Sequence, residues 1–209
     1  MINRVIDISH HNERINFEKV KEAGIIGVIH KATQGISFVD DKYRERKKEA
    51  LENGLLWGAY HFGTDKNGKN QADHFLNHID NNNDTIIALD FERNDPKPYD
   101  TIHKKQGEDF IEAIHERFNL YPGIYSGTFL HSQITNNSIF KKCWLWLIDW
   151  DNNPNWPKNI WDKWTLWQYT GDGNGPEPHK VDGISGNCDR DKFNGEEYAL
   201  KEFWESNKI

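Results

Sequence analysis

Apolar residues along the chain follow two alternating rhythms. Short runs rich in β-branched and aromatic side chains are separated by longer stretches in which apolar positions return every three or four residues. The short runs at residues 4–9, 25–32, 55–62, 85–92 and 122–126 predict strands, several apolar enough to be covered on both faces. The stretches between them predict helices. Residues 17–23 stop at Gly24, while residues 38–53 place Tyr43, Ala50 and Leu51 toward a core and stop at Gly54. Residues 70–79 align Ala72, Phe75, Leu76 and Ile79 on one helical face, and residues 101–118 align Phe110, Ile111, Ile114 and Phe118. A short helix is expected at 129–134.

The rhythm changes in the last third. Residues 143–150 and 165–170 predict two more strands, but the connection 152–164 contains Pro154 and Pro157 and has no long helical pattern. Residues 171–186 are rich in Gly and Pro and predict a loop. A last strand is expected at 187–193 and a closing helix at 196–206. Alternating strands and helices imply parallel strands joined by right-handed crossovers. Eight strand candidates and five strand–helix units predict an α/β fold, a modified TIM-like β/α barrel with the last three strands lacking regular helices. Residues 1–209 are expected to form one domain, since no linker, low-complexity tract or repeat interrupts them. An open doubly wound sheet is the alternative. The barrel is preferred because acids recur at predicted strand ends, at Asp7, Asp90 and Glu92, with Asp149 as a further candidate. A barrel gathers those ends on one face.

Composition narrows the function. Hydrophobic residues make up only 36% of the chain, and an aromatic share of 13% compensates. Most aromatics fill a core, yet their abundance suits stacking on sugars or bases. The formal charge of −7 provides no general attraction to nucleic acid or anionic membrane. No apolar run long enough to span a bilayer is present, so membrane insertion is not expected. The first residues enter a strand directly, with no signal-peptide pattern, so synthesis in the cytoplasm is expected. Cys143 and Cys188 have no metal-site spacing and read as small buried thiols, with their oxidation state left open.

The chemistry concentrates at Asp90 and Glu92. On a strand they share a face, with Cα atoms roughly 6 to 7 Å apart. A buried strand that ends in two acids must pair them, solvate them or use them. The plain alternative is that they open a solvated loop through Arg93 and Asn94. Several carboxylates around one cavity suit either metal binding or glycoside hydrolysis. Hydrolysis needs one carboxylic acid to protonate the leaving oxygen and a second group to steady or attack the oxocarbenium-like carbon. Crowding raises one pKa and keeps one acid protonated near neutral pH. Glu92, with the longer reach, is assigned as the acid, and Asp90 is expected to stay ionised. Their spacing lies between the retaining and inverting separations, so stereochemistry is left open. His10, His11 and His61 lie near the acids but read as hydrogen-bonding or surface histidines, and no metal or other cofactor is expected. No phosphate loop, nucleophile elbow or Cys/His pair is present. Tyr60, Tyr125, Trp167 and Tyr169 fall near strand C-termini and together fit a sugar groove, though each alone reads equally as core.

At this point the chain resembles glycoside hydrolase family 25, the lysozymes that act as N-acetylmuramidases. The likeness is carried in order by Val5-Ile6-Asp7-Ile8-Ser9, His30-Lys31-Ala32-Thr33-Gln34-Gly35, Gly58-Ala59-Tyr60-His61-Phe62 and Leu89-Asp90-Phe91-Glu92. It continues through Gly123-Ile124-Tyr125-Ser126, Leu145-Trp146-Leu147, Leu166-Trp167-Gln168-Tyr169 and Gly183-Ile184-Ser185-Gly186-Asn187-Cys188-Asp189. Each segment is weak alone; their joint order across essentially the whole chain is specific. The resemblance implies cleavage of the β-1,4 bond between N-acetylmuramic acid and N-acetylglucosamine in peptidoglycan glycan strands. It implies Glu92 as the acid with Asp90, Asp7 and Asp189 as carboxylate partners, and Lys31 and Gln34 beside the substrate. The substrate's own N-acetyl oxygen becomes a candidate nucleophile, oriented or polarised by Asp90. Three positions depart from the family pattern. Gln34 replaces a usual Glu, Asp191 stands where Asn is common, and Leu147-Ile148 replaces the usual small residue before Asp149-Trp150. No wall-binding repeat is present, so a monomeric catalytic domain is expected, acting on the cell wall as a phage-type endolysin or after non-standard export. A glycan-binding barrel without turnover, or a glycosidase for another aminosugar polymer such as chitin, remain the alternatives.

Overall fold

The computed structural model describes every residue except 81, 96, 136 and 137. In chain order the elements are β1 (Ile2–Ile8), α1 (Phe17–Glu22), β2 (Gly27–Gln34), β3 (Phe38–Val39), α2 (Tyr43–Glu52), β4 (Leu56–Phe62), α3 (Gly68–His78) and β5 (Thr85–Asp90). There follow α4 (Lys104–Phe118), β6 (Gly123–Ser126), α5 (Thr128–His131), β7 (Trp144–Ile148), β8 (Leu166–Thr170), β9 (Asp189–Phe193) and α6 (Glu197–Asn207).

Eight of these strands close into a ring in the order β1-β2-β4-β5-β6-β7-β8-β9, and β9 returns to β1. All neighbours in the ring are parallel except β9, which runs antiparallel to both β8 and β1. The ring is the expected modified barrel, and it excludes the open doubly wound sheet. Helices cover the first strands. The connection from β7 to β8 and that from β8 to β9 contain no helix among their described residues.

Period-two alternation sorts each strand into an inward and an outward set. Outward residues such as Ile6, Val28, Trp57, Leu89, Ile124, Leu145 and Leu147 pack under the helices with Phe75, Phe110 and Ile111. Inward residues Val5, Ile29, Ile86, Ala88, Trp146, Leu166 and Phe193 fill the barrel with Leu200 and Trp204 of α6. That helix stops the end of the barrel where the parallel strands begin. Its Trp204 Nε1 donates to the Trp57 carbonyl at 2.8 Å. A Cβ at Gly27 would come within 2.9 Å of the Trp204 ring, so the first position of β2 is a glycine because an indole occupies its side-chain space.

Among the boundaries that differ from the sequence reading, two shape the site. The helix expected over 38–53 begins only at Tyr43. Residues 38 and 39 instead form β3, paired antiparallel with Thr33 and Gln34 of β2 after a turn in which Gly35 has φ 56°. Asp40 breaks the helical run. Its carboxylate accepts the Lys42 backbone N–H at 3.0 Å and the His10 N–H at 2.9 Å, and its own N–H donates to Ala32. The strand expected to run to Glu92 ends at Asp90, because the ladder stops with the Phe91 N–H bond to the Tyr125 carbonyl.

Candidate active site

A cavity of ≈170 Å³ opens at the barrel end where the parallel strands finish. Asp7 reaches it from β1, Tyr60 from β4, Asp90 from β5, Tyr125 from β6 and Asp189 from β9, while Glu92 joins from the turn after β5. Parallel strands carry their C-terminal residues to this mouth. The antiparallel β9 brings its first residue instead, and the register pairs Asp189 with Asp7. Asp90 similarly lies between Phe62 and Tyr125. Carboxyls as far as 182 positions apart in sequence (Asp7 and Asp189) therefore converge on one hollow.

The predicted site residues separate cleanly. Asp7, Tyr60, Asp90, Glu92, Tyr125 and Asp189 line the cavity. Lys31 and Gln34 stand at its side, where Lys31 Nζ donates to Gln34 Oε1 at 2.7 Å and lies over the Phe38 and Phe62 rings. Trp167 and Tyr169 do not line it, which corrects the expectation of a sugar platform there. The alternation of β8 turns Gln168 inward and both aromatics outward. Trp167 Nε1 donates to the Asp149 carbonyl, Tyr169 accepts from Asn3 Nδ2 at 2.7 Å, and both rings lie under Lys192. Asp149 is also elsewhere: its carboxylate accepts the backbone N–H groups of Asp151 and Asn155 and organises a loop.

The sequence reading missed five cavity residues, Trp146, Ile148, Trp150, Gln168 and Asp172. Strand parity contained the signal for Gln168, a polar residue between two aromatics in a buried strand. It also contained it for Trp146 and Ile148, which share a face in β7. Nothing periodic marks Asp172, which adopts φ 51° in the Gly-rich loop and donates its N–H to Asp189 Oδ1 at 3.0 Å. Gln168 ties the floor together. Its Nε2 donates to Asp7 Oδ2 at 2.9 Å, and its Oε1 accepts the Tyr125 hydroxyl at 2.9 Å and the Trp150 indole N–H at 3.1 Å.

Burial dominates the electrostatics. Glu92 is pushed up to about 7, mainly by desolvation, with Lys31 pulling back and Asp95, Asp172 and Asp189 adding to the rise. Asp189 is raised to about 6 by burial. Asp90, expected to stay ionised, is instead raised well above the usual carboxylate range by burial and by the Glu92 charge, with Lys31 opposing. Its Oδ1 has no hydrogen-bond donor among the described residues. The mouth thus holds a glutamic acid that is half protonated near neutral pH beside a buried aspartate that lacks a donor.

The candidate histidines are occupied otherwise. His10 Nδ1 contacts Asp40 Oδ2 at 2.9 Å, and His61 Nδ1 contacts Thr33 Oγ1 at 2.7 Å. Among the described residues no group of three or more His, Cys, Asp or Glu side chains is arranged to hold a metal ion. Cys143 and Cys188 are buried free thiols. No described helix is long and apolar enough to cross a membrane.

Comparison with known proteins agrees with this geometry. The family model described as glycosyl hydrolases family 25 matches residues 6–177. Lysozyme M1 of Streptomyces globisporus is 30% identical over 203 residues, covering 91% of this chain and 67% of that protein. A bacterial lysozyme from Streptomyces coelicolor superposes with a TM-score of 0.81 at 28% identity, covering 97% of this chain and 96% of that one. A family GH25 lysozyme from Aspergillus fumigatus gives 0.76 at 30% identity, over 96% and 97% of the two chains. With a matching family model, a curated relative and solved structures all in accord with a barrel whose mouth is lined by acids, the chain belongs to glycoside hydrolase family 25, a glycoside hydrolase of the lysozyme (muramidase) class.

Proposed function

We propose that the protein hydrolyses the β-1,4 bond between N-acetylmuramic acid and N-acetylglucosamine in peptidoglycan, with Glu92 as general acid. The observation that carries this reading is the state of Glu92: a carboxyl raised to about 7 that faces the same small cavity as Asp90, Asp7 and Asp189. At neutral pH a substantial fraction holds the proton that the glycosidic oxygen needs. Asp90 Oδ1 is an acceptor without a donor, and the N–H of a 2-acetamido group supplies one. Accepting it aligns the acetamido oxygen for attack on the anomeric carbon. Glu92, now ionised, then activates the water that opens the intermediate. Trp150 and Tyr60 give the sugar rings apolar and hydroxyl-bearing walls.

The test is mass spectrometry of peptidoglycan digests by wild type and Glu92→Gln. Wild type is expected to release fragments with reducing muramic ends, and the variant to lose ~10²- to 10⁴-fold in rate with its circular dichroism unchanged. Full activity in Glu92→Gln removes it as the acid. Fragments with reducing glucosamine ends, or cleavage of chitin alone, overturn the bond assignment.

A further inference from the structure

Beneath the cavity floor lies another carboxyl, Asp191 on β9, which the hydrolytic scheme does not use. It is 0% exposed and sits one inward step below Asp189; the register pairs Asp189 with Asp7 and Asp191 with Val5. Its Oδ1 accepts the Trp146 indole N–H at 2.6 Å; it is the register partner of Gln168, which binds Asp7, and it shares the inward face with Asp7 one step away on the neighbouring strand, within electrostatic reach of it. Its Oδ2 has no donor among the described residues. Asp7 takes its own hydrogen bond from Gln168 Nε2, and Gln168 cannot turn over, because its oxygen already serves Tyr125 and Trp150. Both acids are thus met by neutral donors. The other titratable groups facing them are Asp189 from β9, Cys188 just before it, Tyr60 from β4 and Tyr125 from β6. The cations beside Asp191 on β9 point outward, where Arg190 donates to the Lys180 carbonyl and Lys192 lies over the Trp167 and Tyr169 rings. Two neighbouring carboxylates inside the barrel with no cation facing them are opposed to ionising together near neutral pH.

We infer that Asp7 and Asp191 form a carboxyl dyad sharing one proton, in which Asp191 is a positioning residue that orients Asp7 and holds the cavity floor at one negative charge. The shared proton supplies the donor that Asp191 Oδ2 lacks. Which oxygen holds it is a property of the pair, as in other coupled acids. Burial raises both groups above the usual carboxylate range, Asp191 to about 8; the Asp189 charge adds to both rises, the Asp191 charge adds to that of Asp7, and the interaction with Asp7 lowers Asp191. The kinetic role of the dyad rests on the proposed hydrolysis; its existence does not.

Two readouts separate these. Thermal melts of wild type and Asp191→Asn from pH 4 to pH 8 test the dyad, because the amide donates to Asp7 without titrating. The folded pair keeps a proton that the unfolded chain releases near pH 4, so wild-type stability falls as pH rises and the variant escapes that part of the fall. The variant is expected to gain several degrees on wild type at pH 8, with the gap closing toward pH 4; parallel curves overturn the dyad. For the positioning role, Asp191→Asn is expected to keep kcat within about threefold and Asp191→Leu to lose about tenfold or more, with KM little changed in both. Equal loss in two folded variants overturns the role. If wild type cleaves no peptidoglycan at all, the proposed hydrolysis falls while the melts still decide the dyad.

Discussion

The two ends of the barrel interior are built from the same strands and could hardly differ more. One inward step, about 6.6 Å along a strand, separates Val5 from Asp7, Ala88 from Asp90 and, on the antiparallel β9, Asp191 from Asp189. The lower layer is hydrocarbon and indole around the one carboxyl of Asp191, sealed by Leu200 and Trp204. The upper layer holds the carboxyls of the mouth, among them Asp90 with an oxygen that has no donor among the described residues. Burying such groups costs free energy, and burying Trp204, Phe193 and Ile86 returns it. The lower end makes the upper one affordable, so stability and chemistry should respond to substitutions at opposite ends.

Four measurements break or sharpen that division. Asp90→Asn is expected to lower kcat by ~10²-fold or more, the scale of a lost catalytic group, while leaving the melting curve at neutral pH unchanged or shifted upward; a matching loss of stability would show that the acid layer supports the fold. At the other end, Trp204→Ala should remove about 3–5 kcal/mol, read from urea titration, with kcat per folded molecule preserved. Next comes pH. A general acid at about 7 predicts that kcat falls roughly tenfold per pH unit well above that value. In the same range the raised acids bind more protons folded than unfolded, so stability is fullest below the unfolded carboxylate pKa, near pH 4. It declines as pH rises through about 6 for Asp189 and about 7 for Glu92. Trp204→Ala should shift that stability profile down without changing its shape, and a changed shape would mean that the layers are coupled. The smallest effect is expected for Trp150→Ala, a rise in KM of about 2- to 10-fold from a lost stacking face, visible in initial rates on soluble glycan fragments.

Much of this was legible in the residues because two simple periods govern them. Strand parity and a strand-end position mark Asp90, and acids at recurring strand ends imply that eight strands close. Glu92 departs from strand parity: it enters the mouth from a turn past the strand, so its common direction with Asp90 depends on the loop as well as the pleat. For Trp167 and Tyr169, aromatic identity points to the groove while parity points away from it. In β8 it is Gln168 that faces inward, and a buried amide between two rings is the more telling residue. Asp191 was visible as the second acid of an Asp-x-Asp pair on β9, where equal parity puts both side chains inside. The β3 hairpin and Asp172 lay beyond this kind of reading, because an aspartate that binds nearby backbone amides can end a helical run that composition favours.

The reversed direction of β9 has a consequence for assembly. Its two neighbours, β1 and β8, stand at opposite ends of the ordered sequence, so until this strand is laid between them both present unpaired edges. The pairing is among the most distant in the molecule, which makes the last seam a slow one to sew. A nascent or clipped polypeptide lacking it would have neither Asp189 nor Asp191, and would display two sticky borders in place of a working mouth.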